Sequence, residues 1–198
     1  MKLSKNYAEA LHFTNSMHSG HTRKGSQIPY MAHLLSVSAL VLEHGGSETE
    51  AIAALLHDVI EDRSRFWNLG PVGMRNELRK RFGQEVLDIV DECTDTDQEP
   101  KPPWRARKEA YIVYLTEASP SGLLVSLADK VHNLRSILAD YRQIGDELWE
   151  RFTGGKQGTL WYYRELLAAF QAREESNRTL LTELERTLAE LDAALAAS

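Results

Sequence analysis

The stretch from Leu55 to Asp62 constrains the fold of this 198-residue chain more than any other feature of its sequence. It places four ionisable side chains, those of His57, Asp58, Glu61 and Asp62, among residues apolar enough to be buried. On a helix these four fall within an arc of about 140°, and the apolar residues occupy the other side. Three carboxylates on one buried arc repel one another unless a cation neutralises them. The pattern predicts a helix with a metal-dependent site on its front; a satisfied buried ion cluster is the alternative.

Helical periodicity recurs along almost the whole chain, and no stretch shows the sustained alternation of a half-buried strand. We therefore expect an all-α protein, a bundle of about ten helices. Length and composition, 198 residues with 42% hydrophobic and 26% charged, suit one globular domain over residues 1–198. Ser47 with Glu50 is a capping-box pattern, and Ser119 before Pro120 marks another helix start. The predicted helices span 4–18, 31–44, 48–62, 71–81, 84–92, 103–118, 120–140, 145–152, 158–174 and 175–195.

Composition and charge exclude several classes of protein. The net charge of −6 argues against a protein that wraps nucleic acid. No apolar run is long enough to span a membrane, and the N-terminus lacks a signal-peptide core, so we expect a cytoplasmic protein. The single cysteine, Cys93, excludes a disulfide framework, and we expect it to be a small buried hydrophobe, not a nucleophile. Any metal must therefore be held by histidine and carboxylate.

Two residues outside the stretch from Leu55 to Asp62 extend the candidate metal site. His33 lies at the start of the second predicted helix, and Asp129 ends an apolar run in which a lone buried acid would be costly. Asn133 and Ser136 follow Asp129 at i+4 and i+7, so they form a polar stripe suited to contacting a ligand. Lys130 is expected to point elsewhere. The remaining histidines are predicted to lie outside the site: His12, His18, His21, His44 and His132.

The order of these residues resembles that of a known family. His33, then His57-Asp58, then Asp129 is similar to the H…HD…D order of the HD-domain metal-dependent phosphohydrolases. Three segments look like the hydrolase half of the RelA/SpoT stringent-response enzymes: Arg23-Lys24 before Pro29-Tyr30 and His33, the run from His57 to Asp62, and Leu127 to Arg135. The resemblance covers about residues 5–140, with the helices of 145–195 packed on that core. Too little chain follows for a nucleotide pyrophosphokinase domain, so we expect a stand-alone small alarmone hydrolase.

The resemblance implies a fold, a reaction and a set of roles. The fold would be an HD-domain helical bundle, and the cofactor one Mn²⁺; the donor types alone also suit Fe²⁺ or Zn²⁺. The reaction would remove the 3′-pyrophosphate of ppGpp or pppGpp, giving GDP or GTP. The implied metal ligands are His33, His57, Asp58 and Asp129. Glu61 and Asp62 would act on the attacking water, and the implied substrate-side residues include Tyr30 and Asn133.

Basic residues supply candidate contacts to the nucleotide. Arg23 and Lys24 lie in a glycine-flanked loop before the His33 helix, where a guanidinium could stack on a purine and an ammonium could meet phosphate. Without the family match, a solvated charged turn explains this pair better. Phosphate contacts or a charged helix face explain the next basic cluster almost equally well: Arg105, Arg107 and Lys108.

Two irregular stretches remain open in function. Residues 94–103 are acidic and then proline-rich, so they predict a loop that is either a plain surface connection or a specificity element bordering the active site. The glycine-rich stretch 154–158 lacks the Walker spacing, and we predict an ordinary turn with Thr159 as helix cap. Leucines at 4-3 spacing near the C-terminus should pack on the body, with dimerisation as the second interpretation.

Several functional alternatives are kept. Adenosine alarmones, (p)ppApp, could replace guanosine ones as substrate. A nucleotide 5′-phosphatase or another HD phosphohydrolase is a second alternative, against which the Arg23-Lys24 element argues. A non-catalytic nucleotide sensor is a third, against which the intact Glu61-Asp62 pair argues. In each case the partner is a small-molecule nucleotide, with no nucleic acid or membrane, and the protein is a monomer or homodimer.

Overall fold

The computed structural model describes residues 2–64, 68–98 and 100–197, which form helices and connecting loops. The helices are α1 (Lys5–Met17), α2 (Met31–Glu43), α3 (Glu48–Leu56), α4 (Gly70–Phe82), α5 (Gln84–Cys93), α6 (Trp104–Tyr114), α7 (Pro120–Ile144), α8 (Gly155–Gln171) and α9 (Arg178–Ala196). A π-helical turn, Val59–Arg63, follows α3, and a 3₁₀ segment, Gly145–Arg151, follows α7. Over these ranges, β pairing is limited to a bridge between Thr22 and Pro29. The all-α prediction is confirmed.

Helix α3 lies at the centre of the fold. It packs against α1, α2, α5 and α7, and each of residues 51–56 is at most 4% exposed. A helix that is apolar all round needs such complete burial. The predicted capping box is present, because the Ser47 hydroxyl accepts the Glu50 N–H and the Glu50 carboxylate accepts the Ser47 N–H at 2.6 Å. The cap fixes where this buried helix begins.

Helix α7 is the longest element and packs against α2, α3, α5 and α9. Ser119 caps it as predicted, since its hydroxyl accepts the Gly122 N–H at 3.0 Å, and Pro120 occupies the first turn. The C-terminal helix α9 covers one side of α7 with buried leucines: Leu181, Leu184, Leu188 and Leu191. The leucine stripe therefore packs on the body of the protein, as predicted.

The prediction of one continuous helix over 48–62 is wrong. Helix α3 ends at Leu56, and Asp58 adopts φ −96° and ψ −1°, between the helical and extended regions. The following π-helical turn changes the angular spacing of the side chains, so 100° per residue no longer applies beyond His57. Such turns are frequent at functional sites. No glycine or proline marks this break, and the sequence pattern therefore missed it.

Other boundaries also differ from the predictions. Helix α6 ends at Tyr114, before the expected 118, and α7 continues to Ile144, beyond the expected 140. Helix α8 begins at Gly155, so the prediction of Thr159 as its cap is wrong; Thr159 lies inside the helix and donates to the Gly155 carbonyl at 2.7 Å. Among the described residues, no helix is long and apolar enough to cross a membrane.

The glycines before and inside α8 serve helix packing. A Cβ at Gly154 would lie 2.6 Å from the Trp104 ring, and one at Gly158 would lie 3.1 Å from it. Their missing side chains let the α6 indole lie directly against the start of α8. This close approach explains the two glycines without a phosphate-binding role.

Candidate active site

A loop between α1 and α2 forms one wall of the site. The Arg23 N–H donates to the Ile28 carbonyl and the Tyr30 N–H donates to the His21 carbonyl, each at 2.8 Å, so the loop closes on itself. The Tyr30 ring stacks on the His21 ring with centroids 4.1 Å apart, and His18 stacks beside both. Two histidines that we expected outside the site thus support a residue that we expected inside it.

The four predicted metal ligands lie close together, with each histidine within 3.7 Å of both aspartates. His33 comes from α2, His57 and Asp58 from the end of α3, and Asp129 from the middle of α7. Asp58 Oδ2 lies 3.0 Å from His57 Nε2 and 3.7 Å from His33 Nε2. Asp129 Oδ1 lies 3.2 Å from His33 Nε2 and 3.6 Å from His57 Nε2. Atoms that bind one metal ion at about 2.1 Å are spaced by similar distances.

The two imidazoles carry the observation that tests the fit of a metal. Both are buried, and the Nε2 atoms of His33 and His57 have no hydrogen-bond partner. His57 Nδ1 lies 2.8 Å from the Ala54 carbonyl, which can only accept, so Nδ1 donates and the neutral form of the ring has its lone pair on Nε2. Two buried imidazole nitrogens beside two carboxylates match the donor set of a divalent cation. His33, His57 and Asp58 form a possible metal-binding group.

The charges of the cluster favour ionised carboxylates. Burial would lower the pKa of His57, but the adjacent Asp58 and Asp129 raise it well above its usual value. Burial would raise the pKa of Asp58, but His57 and His33 hold it well below its usual range. Burial would also raise the pKa of Asp129, but Lys130, followed by the two histidines, holds it well below its usual range. Both carboxylates are therefore charged, and a metal would compete with protons for this position.

Polar side chains fix the two carboxylates. The Tyr30 hydroxyl donates to Asp58 Oδ2 at 2.6 Å, and Asn133 Nδ2 donates to Asp129 Oδ1 at 2.6 Å. Lys130 Nζ donates to Asp129 Oδ2 at 2.5 Å, so the expectation that Lys130 points elsewhere is wrong. Its side chain is half-buried, and a charge with little access to water needs a partner, which overrides the direction of its Cα–Cβ bond.

Glu61 and Asp62 project from the π-helical turn into the same cleft. Glu61 Oε1 accepts a hydrogen bond at 2.8 Å from Nζ of Lys101, which lies in the proline-rich stretch. Burial, and then the neighbouring charges of Asp58 and Glu61, raise the pKa of Asp62 to about 7. The broken helix thus still brings both carboxylates to the site that the helical wheel predicted for them.

The cleft has a volume of about 930 Å³, and its lining includes both basic and acidic side chains. It is large enough for a nucleotide. Lys24 and Ser136 line it, as predicted, together with the following cations: Arg23, Arg107, Lys108, Lys130 and Arg151. Among the predicted phosphate contacts, Arg105 instead places its guanidinium 3.2 Å from the centroid of the Trp161 ring, outside the lining residues.

The irregular stretch 94–103 borders the cleft. Asp95 lines it and accepts hydrogen bonds from Arg107 and Lys108, so one carboxylate holds two cations of the lining. Lys101 reaches Glu61, as described above, while Glu99 lies outside the described residues. The stretch therefore borders the cleft, and its role as a specificity element stays a prediction. At the start of this stretch, burial raises the pKa of the Cys93 thiol to about 11, which disfavours a nucleophilic thiolate.

Comparison with known proteins agrees with this arrangement. A sequence model described as HD domain matches residues 10–160. The chain belongs to the HD-domain family. The relatives of this HD protein include the guanosine-3′,5′-bis(diphosphate) 3′-pyrophosphohydrolase MESH1 of Xenopus tropicalis, 35% identical over 132 residues, which cover 65% of this chain and 68% of that one. An Aquifex aeolicus enzyme of the same activity name is 27% identical over 128 residues, covering 65% of this chain and 17% of its own.

A solved structure superposes on nearly the whole of this HD protein. It is described as a metazoan ortholog of SpoT that hydrolyzes ppGpp, and it matches with a TM-score of 0.76 and 23% identity. The match covers 98% of this chain and 99% of the other. At this identity the superposition shows the fold, a helical HD domain, and the predicted fold class is confirmed.

The sequence interpretation missed two residues of this HD site, Lys130 and His132. His132 Nδ1 lies 2.8 Å from His33 Nδ1, and burial, followed by the nearby charge of His33, lowers the pKa of His132 to about 4. A sequence signal existed for His132, because it follows Asp129 by three residues and so shares its helix face. No spacing rule predicts the contact between Lys130 and Asp129, because it depends on the long lysine side chain folding back toward its neighbour.

Proposed function

We propose that this HD protein is a metal-dependent 3′-pyrophosphohydrolase of guanosine alarmones, converting ppGpp or pppGpp to GDP or GTP plus pyrophosphate. One observation carries the proposal: two buried imidazole nitrogens without a hydrogen-bond partner converge with two carboxylates in a cleft of nucleotide size that is lined by several lysines and arginines. The named activity of the MESH1 relatives supports the substrate class. Residues 1–198 would act as one domain, with α8 and α9 packed beside the metal-bearing core.

In this proposal the metal is Mn²⁺, held by His33, His57, Asp58 and Asp129. A divalent cation supplies Lewis-acid activation of water and neutralises phosphoryl charge when bound. The protein contributes the fixed orientation of its donors. The Ala54 carbonyl sets the tautomer of His57, and Tyr30 holds the Asp58 carboxylate.

Glu61 and Asp62 would act on the attacking water. The water oxygen bonds to the phosphorus that carries the 3′-oxygen, and the bond from this phosphorus to the 3′-oxygen breaks. A carboxylate takes the proton that the water loses, and the departing 3′-oxygen ends protonated. Lys101, 2.8 Å from Glu61, keeps that carboxylate oriented toward the cleft.

The basic residues that line the cleft would bind the nucleotide. Lys24, Arg107 and Lys108 are placed to meet phosphate oxygens. Arg23 has its guanidinium carbon 5.7 Å from the Tyr30 ring centroid and donates to Asn133 Oδ1 at 2.8 Å, so its plane is held in position for stacking on a purine. Ser136 lies further along the same face of α7 and completes the predicted substrate side.

The test is hydrolysis by purified protein supplied with Mn²⁺. The protein is incubated separately with ppGpp, pppGpp, ppApp and simple 5′-nucleotides, and the products are separated by chromatography. We expect GDP or GTP and pyrophosphate from the guanosine alarmones. Release of orthophosphate from 5′-nucleotides would favour the nucleotidase alternative, turnover of ppApp alone would move the base preference to adenine, and tight binding without turnover would favour a sensor.

A further inference from the structure

The two histidines of the proposed metal site have their tautomers fixed by different means. His57 Nδ1 donates to the backbone carbonyl of Ala54, and a carbonyl oxygen can only accept a hydrogen bond. His33 Nδ1 instead faces another imidazole nitrogen, Nδ1 of His132, at 2.8 Å. The ring centroids of this pair are 4.8 Å apart with a tilt of 49°, so the contact joins ring edges and is not a stack.

Two neutral imidazole nitrogens at this distance share one proton, and its location decides what His33 can do. If His33 Nδ1 donates, His33 Nε2 keeps a lone pair toward Asp58 and Asp129 and can bind a metal. If His132 Nδ1 donates, His33 Nε2 carries the proton. That proton then points at the carboxylates, with Asp129 Oδ1 only 3.2 Å away, and the metal position is blocked.

Helix α7 supplies both the ligand and this second imidazole. His132 follows Asp129 by three residues and therefore lies on the same face. The Ser136 hydroxyl donates to the backbone carbonyl of His132 at 3.0 Å, and the His132 side chain lines the cleft. The backbone that carries the His132 ring is thus part of a regular, buried helix, and its Nδ1 is held at a fixed distance from α2.

We propose that His132 is a positioning residue that accepts the Nδ1 proton of His33 and so keeps the metal-binding tautomer of His33. The inference rests on the metal site of the proposed function and is independent of the substrate. It gives a role to a histidine that does not itself bind the metal. Outer-shell partners of metal-bound histidines are commonly carboxylates, carbonyls or water; here a neutral imidazole performs the same task.

The test compares Mn²⁺ affinity by isothermal titration calorimetry in metal-free full-length variants. His132→Asn places an acceptor oxygen where Nδ1 was, whereas His132→Gln places its amide one bond further out, and His132→Leu has no acceptor. His12→Leu, which removes an exposed histidine of α1, is the control. We expect affinities within about threefold of wild type for the Asn variant and the control, and losses of roughly 10–100-fold for the Gln and Leu variants.

The outcomes separate this inference from the proposed function. Wild-type affinity in His132→Leu, or equal affinities in His132→Asn and His132→Gln, would overturn the positioning role while leaving the metal site intact. Absence of Mn²⁺ binding by the wild-type protein would overturn the metal site and the inference together. Because the Asn and Gln variants are both polar and differ by one methylene, a folding defect in the Leu variant leaves the comparison valid.

Discussion

Helices α3 and α7 each deliver a carboxylate to the same point, and they do so in different ways. Helix α3 stops at Leu56, and the π-helical turn after it directs Asp58 and Glu61 into one cleft within a few residues. Helix α7 continues unbroken through Asp129, so its further contributions, such as Asn133, are spaced by whole turns. A broken helix concentrates charged groups, whereas a continuous one distributes supporting residues along a face.

The largest expected effect comes from removing the carboxylate on the unbroken helix. Asp129→Ala should lower Mn²⁺ affinity by more than the roughly 10–100-fold typical of outer-shell partners, and turnover should fall with it. The change also leaves the half-buried Lys130 ammonium without its ion pair, which should lower the free energy of unfolding. Calorimetry and alarmone hydrolysis are measured together.

Two variants control this experiment. Asp129→Asn keeps the shape of the side chain and reports on charge alone, and Asp88→Ala removes an exposed acid of α5. Full metal occupancy and turnover in Asp129→Ala would remove this residue from the site and leave the broken helix as the main source of ligands.

The next effect isolates the carboxylates of the π-helical turn. Glu61→Gln keeps the shape of the side chain while removing its ability to accept a proton, so kcat should fall by about 10²–10⁴ with Mn²⁺ affinity retained. Glu85→Gln, an exposed change on α5, is the matched control. Near-normal turnover in Glu61→Gln would contradict the assignment of water activation to the broken helix.

A smaller effect is expected in the loop between α1 and α2, where Arg23 contacts Asn133 of α7. Arg23→Lys loses the planar cation beside Tyr30 and the hydrogen bond to Asn133, so KM should rise by about 2- to 30-fold, with the preference for guanine over adenine narrowed. Arg105→Lys, which alters a stacked arginine outside the cleft lining, is the control. If the kinetics with both alarmones stay unchanged, base selection belongs to the proline-rich loop.

The smallest effect concerns the starts of the two helices. Ser47→Ala removes the cap of α3 and should lower the free energy of unfolding by about 1 kcal/mol. Ser119→Ala should cost a similar amount at α7, because each hydroxyl also donates to a carboxylate at 2.9 Å, that of Glu50 for Ser47 and that of Glu92 for Ser119. Urea unfolding measures both. A change in Mn²⁺ affinity in either variant would show that the caps, and not only the local contacts, set the ligand positions.

The contrast between the helices also explains what the sequence could predict. Regular spacing on α7 placed Asp129, Asn133 and Ser136 on one face, and the structure agrees because the helix is continuous. The break after His57 was not predictable, since its backbone depends on tertiary contacts and not on a local breaker residue. The meeting of Glu61 with the other ionisable groups was nevertheless expected, because buried charges of like sign are seldom gathered without a site.

Contacts between residues far apart in the sequence could not be predicted either. The capping residues Ser47 and Ser119 act over a few positions and could be identified from local pattern. The reach of Lys101 to Glu61, across 40 residues, and the pairing of His132 with His33, across 99, depend on how helices and loops pack. Local periodicity carries no information about such pairings.

The most direct test of the metal-dependent site is a titration of chelator-treated wild-type protein with Mn²⁺ in the presence of ppGpp. Pyrophosphate release and bound metal are measured at each addition. The account predicts that release begins with metal binding, rises in proportion to occupancy and levels off at one ion per chain, with GDP as the other product. Pyrophosphate release that is unchanged in metal-free protein, or a chain saturated with Mn²⁺ that leaves ppGpp intact, would contradict it.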